Sequence, residues 1–144
     1  MLYGLPNNLI AKLQRVQNAA ARVIAGVGKR EHVTPLLEQL HWLPVELRII
    51  FKVNLLTYKC LHKLAPTYLQ ELLNVYRPNR TLRSSNAAPR LTQKSYCLKN
   101  YGYRAFAVHA PELWNKLPSY IRESESVSVF KSRLKTYLFK NYFN

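Results

Sequence analysis

Between Leu43 and His62 the apolar positions fall into two stripes instead of one. Leu47, Ile50, Phe51, Leu55 and Tyr58 lie along one side of a helix, and Ile49, Val53, Leu56 and Cys60 along another. Arg48, Lys52 and Lys59 form the polar strip that remains, with Asn54 apart from it. A surface helix needs one apolar face, so a helix with two is covered from both sides. Pro44 suits the first helical position, where its missing N–H is no loss. The pattern therefore predicts a central buried helix over 44–62 and an all-α, mostly helical fold built around it.

Upstream, Leu9, Leu13, Val16, Ala20, Val23 and Val27 recur at spacings of four and three. They predict a helix over 7–27 with this stripe on one face, closed by Gly26 and Gly28. The stripe is read as core packing, with a docking face for an absent domain as the alternative. Thr34-Pro35 opens a short helix, with Thr34 as N-cap and Leu36, Leu37 and Leu40 as its apolar side. His41-Trp42-Leu43 turns the chain into the central helix, and Trp42 is read as an anchor of that corner. Ala65-Pro66 starts another helix that runs to Leu73.

From Asn74 to Asn100 the periodicity stops, and Pro78, Ser84, Ser85, Asn86 and Pro89 mark an irregular arm. Arg90 to Leu98 is the place for a short strand. Gly102 to His109 reads as helical, restarted at Pro111 with Glu112 at the positive end of the helix dipole. Trp114, Leu117 and Ile121 pack around a kink at Pro118. Ser126 caps the last helix, with Phe130, Leu134, Tyr137 and Leu138 facing inward and Lys131, Lys135 and Lys140 outward. The whole chain is read as one domain over 1–144: a helical part at 7–73, a basic arm at 74–100 and C-terminal helices at 101–142.

Composition changes this picture mainly through charge. There are 22 Lys and Arg against 7 acidic residues, all Glu, for a net charge of +15. Such a field attracts polyanions, nucleic acid before anionic membrane. No run has the length of a membrane-spanning helix, and the N-terminus lacks the layout of a secretory signal. Cys60 and Cys97 make no disulfide framework, which fits an intracellular home, nuclear or cytoplasmic.

The chemistry available to such a chain is narrow. Two-metal polymerase or nuclease chemistry needs convergent carboxylates, and seven scattered Glu without any Asp do not build that clamp. His32, His41, His62 and His109 are dispersed, and Cys60-Leu61-His62 points its two side chains apart on a helix. No phosphate loop or nucleophile elbow is present. No catalytic residue, metal or cofactor is expected.

The acid-free interval from Glu71 to Glu112 is the best candidate site. Arg80, Arg83, Arg90, Lys94, Lys99 and Arg104 are expected to contact phosphates, and Tyr96 and Tyr101 to stack on bases. The structural alternative is that the tyrosines pack on the core while the arginines are solvated. The last helix carries a second possibility, a basic amphipathic face on an anionic membrane, against the plainer reading that its apolar side covers the central helix.

Several blocks resemble one family. They are Leu2-Tyr3-Gly4-Leu5-Pro6, Leu13-Gln14-Arg15-Val16-Gln17-Asn18-Ala19-Ala20-Ala21-Arg22, His41-Trp42-Leu43-Pro44-Val45, Leu55-Leu56-Thr57-Tyr58-Lys59-Cys60-Leu61-His62, Ala110-Pro111-Glu112-Leu113-Trp114-Asn115-Lys116-Leu117-Pro118 and Phe130-Lys131-Ser132-Arg133-Leu134-Lys135-Thr136. Together they are similar to the C-terminal region of reverse transcriptases from non-LTR (LINE-type) retrotransposons of the jockey and chicken-repeat group. Tyr103 stands where that family often has an acidic residue, and the stretch between Ser85 and Tyr101 departs from its pattern. The resemblance implies a region that follows the polymerase palm and thumb, binds RNA or DNA with little sequence preference, and holds no catalytic residues. It also implies a truncated copy of the element. The helix over 9–27 would then be able to pack on the upstream polymerase domain.

Overall fold

The computed structural model describes residues 2–77, 89–93 and 105–143. Within them the chain forms seven helices: α1 (Asn7–Ala25), α2 (Thr34–Gln39), α3 (Val45–Leu61), α4 (Thr67–Gln70), α5 (Phe106–Asn115), α6 (Ser119–Arg122) and α7 (Val127–Phe143). The fold is all-α, as the periodicity predicts. α3 lies at its centre, packed by α5 and α7 and flanked by α1 and α4. Val53, Leu55, Tyr58 and Cys60 are buried, so each apolar stripe of α3 reaches the core, while Ile49 and Leu56 of the second stripe are only half-buried.

The core is aromatic at its middle. Tyr58 stacks on Phe130 of α7 with ring centroids 4.3 Å apart, and Trp114 of α5 lies 5.8 Å from the same Phe130 ring. Offset ring pairs of this kind add to area burial. The Tyr58 hydroxyl donates to the Ser124 carbonyl at 2.7 Å, which ties α3 to the turn before α7. Phe130, Leu134 and Leu138 are buried along α7, so these residues of its apolar side pack into the core, while Tyr137, Phe139 and Phe143 are half-buried. Ser126 caps α7, its Oγ accepting from the Val129 N–H at 3.3 Å, as its position predicts. Lys131, Lys135 and Lys140 are exposed.

α1 differs from expectation. Leu9, Leu13, Val16 and Val23 are exposed, and the buried residues are Gln17 and Ala21. The face turned inward begins one residue later, at Ile10, Gln14, Gln17 and Ala21. The reason is polar. The first N–H groups of α3 have no partner within their own helix, and Pro44 supplies no side-chain cap. Gln14 Oε1 accepts the Val45 N–H at 2.8 Å, while Gln17 Nε2 donates to the Leu43 carbonyl at 2.8 Å. Two glutamines thus dock α1 on the N-terminus of α3, and this rotates the leucine and valine stripe outward. α1 ends where glycine predicts: Gly26 has φ +65°, and the Gly26 and Val27 amides return to Val23 and Arg22.

Other boundaries move by a residue or more. Val33, not Thr34, flanks α2, and no side chain caps it. Pro44 flanks α3 instead of opening it. The helix begun by Pro66 lasts one turn, Thr67–Gln70, and Leu72 is exposed while Leu73 is buried. Ala105 is extended and α5 begins at Phe106, while the helical start expected at Gly102 lies outside the described residues. Pro111 sits inside α5 without breaking it, and Glu112 serves a side-chain pair with Lys116 at 2.7 Å, not a helix start. Pro118 flanks α6, at the place where the sequence predicts a kink.

Candidate functional site

The expected interface rests on the arm, and the described residues contain its stem. Val75 and Leu91 form an isolated antiparallel bridge, with the Tyr76 N–H on the Arg90 carbonyl and the Thr92 N–H on the Asn74 carbonyl, each at 2.8 Å. The strand expected over Arg90 to Leu98 is thus a single bridge within the described residues. Leu91 is buried, and the Asn115 side chain reads its backbone from both sides: its Nδ2 donates to the Leu91 carbonyl at 2.8 Å, and its Oδ1 accepts the Leu91 N–H at 2.9 Å. The carboxamide stands in for a further strand. Two residues earlier, the Pro89 carbonyl accepts the Trp114 indole N–H at 2.9 Å.

Arg122 completes this anchor. It is buried, and its Nε donates to the Leu117 carbonyl at 3.1 Å. Burial, and then the charge of Arg90, lower its pKa from the ordinary arginine value. Nothing in the periodicity marks Arg122 as inward; it follows Ile121 on a helix of one turn. The resemblance block around Trp114-Asn115 is the one sequence signal near these anchoring residues, and it does not assign them this task.

Arg90 is exposed at the stem, beside Tyr76 and Arg77, which are exposed too. Of the residues expected to touch nucleic acid, Arg80, Arg83, Lys94, Tyr96, Lys99, Tyr101 and Arg104 lie outside the described residues. The described cations are not confined to the arm. Lys12 and Arg15 on α1, Arg48 and Lys52 on α3, and Lys131, Arg133, Lys135 and Lys140 on α7 are all exposed. None of these is ion-paired among the described residues, whereas Lys116 pairs with Glu112. That pair raises the Lys116 pKa and lowers that of Glu112.

A second surface stands between α1 and α3. Leu13, Val16 and Ala20 form one wall of a groove of about 830 Å³, and Trp42, Val45, Ile49 and Leu56 line the other side. Arg48, Lys52 and Lys59 line the same groove. Trp42 is half-buried at its end, with the Arg48 guanidinium 5.6 Å from its ring centroid. The tryptophan expected as a corner anchor therefore also faces an open surface.

Among the described residues no three of His, Cys, Asp and Glu stand together as a metal set, and no helix is long and apolar enough to cross a membrane. Cys60 is buried, and burial pushes its thiol pKa up. His62, two residues on, is exposed and stacks on Tyr58 at 4.1 Å. Comparison with family models, with curated proteins and with solved structures returned no match.

Proposed function

We propose that this chain is a non-catalytic module that binds the backbone of RNA or DNA, derived from the region that follows the polymerase in a non-LTR retrotransposon reverse transcriptase. The observation that carries the reading is the surplus of cations, net +15, held at exposed positions on α1, α3, α7 and the stem of the arm. Arginine and lysine on a rigid helical body meet phosphates without reading bases, so little sequence preference is expected. The arm leaves and re-enters the body at a stem pinned by Asn115 and Trp114, which fixes where Arg77 and Arg90 stand.

A titration with RNA and DNA duplexes and single strands at two salt concentrations tests this. Affinity should fall steeply with salt, with a log–log slope of about −4 if several cations engage. Two variant sets divide the surface: Arg80, Arg83 and Arg90 to Ala in the arm, and Lys131, Lys135 and Lys140 to Ala on α7. Loss with the first set places the contact on the arm, and loss with the second moves it to α7. A flat salt dependence overturns the reading.

A second reading is a docking module for a neighbouring protein domain, such as the polymerase that the resemblance puts upstream. The outward stripe of α1 is the observation in its favour, because an apolar helix face turned to solvent commonly marks an interaction site.

A further inference from the structure

The groove between α1 and α3 combines two features that select its occupant. Its floor is apolar, and Val16 on its wall is 70% exposed. Its charged lining is cationic: Arg48, Lys52 and Lys59 border it beside the neutral Gln17, and no glutamate does among the described residues. Positions 48, 52 and 59 fall on one face of α3 and span about 16 Å along its axis, or about three turns. A partner that covers the floor must also answer these three charges.

A second copy of this chain is a poor match. It brings another body of net charge +15 with the same cations at the same groove, and like charges brought together oppose association. A nucleic-acid backbone satisfies the cations but offers nothing to Leu13, Val16, Ala20 and Ile49. A helix with one apolar face satisfies both, in the helix-in-groove manner.

We propose that this groove receives an amphipathic helix from a protein partner, its apolar face on α1 and α3 and its flanking carboxylates on Arg48, Lys52 and Lys59. The proposal rests on the docking reading and is independent of nucleic-acid binding by the arm. Trp42 lines the groove and reports on it directly, while Trp114 is buried in the core and serves as the internal reference.

The test uses the full chain with ¹⁵N-labelled tryptophan, the two indole signals being assigned with Trp42→Phe. The probes are synthetic helical peptides of about 18 residues, enough for roughly five turns, with one shared Leu/Ile stripe and flanks of Glu, Gln or Lys. A fourth peptide keeps the Glu residues but scrambles the stripe. The Glu-flanked peptide should shift the Trp42 indole and leave Trp114 in place. It should bind about tenfold more tightly than the Gln-flanked one, the scale of a few partly screened ion pairs. Val16→Glu, at an exposed position, should weaken binding by at least about tenfold, the loss of one well-placed apolar contact. Lys52→Glu should narrow or reverse the preference between the Glu- and Lys-flanked peptides.

Equal binding of the Glu- and Gln-flanked peptides would leave the docking reading standing and sink the acidic partner. Equal binding of the scrambled peptide would reduce the effect to bare attraction of negative charge. A short RNA that displaces the peptide from Trp42 would assign the groove to nucleic acid. Self-association that Val16→Glu abolishes would make a second copy the occupant. No binding by any peptide would overturn the docking reading itself, and the salt titration above would still stand or fall alone.

Discussion

Three residues show how burial sets energy in this core. Asn54 is fully buried on α3, and neither its Oδ1 nor its Nδ2 finds a hydrogen-bond partner among the described residues. In the sequence it stands apart from the apolar stripes, and the packing of α5 and α7 on α3 encloses it. An amide in that state costs on the order of 1–3 kcal/mol, so Asn54→Leu is expected to raise stability by about 1 kcal/mol, seen as a higher urea midpoint at unchanged slope. A lower midpoint would mean that the amide is satisfied by bound water. Tyr58 is the opposite case, buried and satisfied by the Ser124 carbonyl. Tyr58→Phe leaves that carbonyl without its donor and should lower stability by about 1–2 kcal/mol at neutral pH. Burial raises the Tyr58 pKa above its ordinary value of 10.0. Ionisation therefore favours the unfolded chain: stability is complete below the ordinary value and falls as pH climbs toward the raised one. The alkaline limb of stability against pH should be shallower in Tyr58→Phe than in the parent, and parallel curves would refute this. Cys60 follows the same logic, its raised pKa and burial making it a slow thiol until the chain unfolds.

Among the elements, α1 and the stem carry the lessons. The two faces of α1 respond in opposite ways to the same substitution. Val16→Lys, on the open side, should change stability by no more than about 0.5 kcal/mol. Ala21→Lys, at a position with no exposed area, forces a charge into the packed side of α1 and should cost several kcal/mol. Equal effects in urea denaturation would mean that α1 is rotated from this orientation. Asn115 tests the stem. Asn115→Ala removes both bonds to Leu91 and should destabilise by about 2 kcal/mol, given two backbone groups left unmatched. Hydrogen exchange at the Leu91 amide should accelerate more than at α7, and uniform acceleration would show that the stem has no local role. The element boundaries that the sequence missed share one cause. Proline and glycine announce that a helix starts or stops nearby, but the hydrogen bonds that set the terminal residue, such as Gln14 to Val45, come from outside the element.

Over the whole molecule, charge dominates. A net +15 on a body of 16.8 kDa sets like charges against one another over the surface, and such self-repulsion disfavours the compact state. Raising NaCl from about 0.05 to about 0.3 M shortens the screening length from about 14 Å to about 6 Å, which damps repulsion between separated surface charges. The melting temperature should rise over that range, and a fall or no change would show that the exposed cations are spaced too widely to oppose folding.

The class of the fold, the central helix, the caps at Gly26 and Ser126, the inward face of α7 and the imbalance of charge were all legible in the order of residues. Each of these is local or additive: periodicity, a φ preference, or a count of ionised groups. Which face of α1 turns inward was not legible, because it depends on glutamines meeting the free amides of another helix and not on the apolar stripe. The same holds for the enclosure of Asn54 and Arg122, for Asn115 and Trp114 holding the root of the arm, and for Arg48, Lys52 and Lys59 bordering an apolar groove. Those facts join residues far apart in the chain and exist only once the helices have packed. Periodicity within one segment carries no information about them.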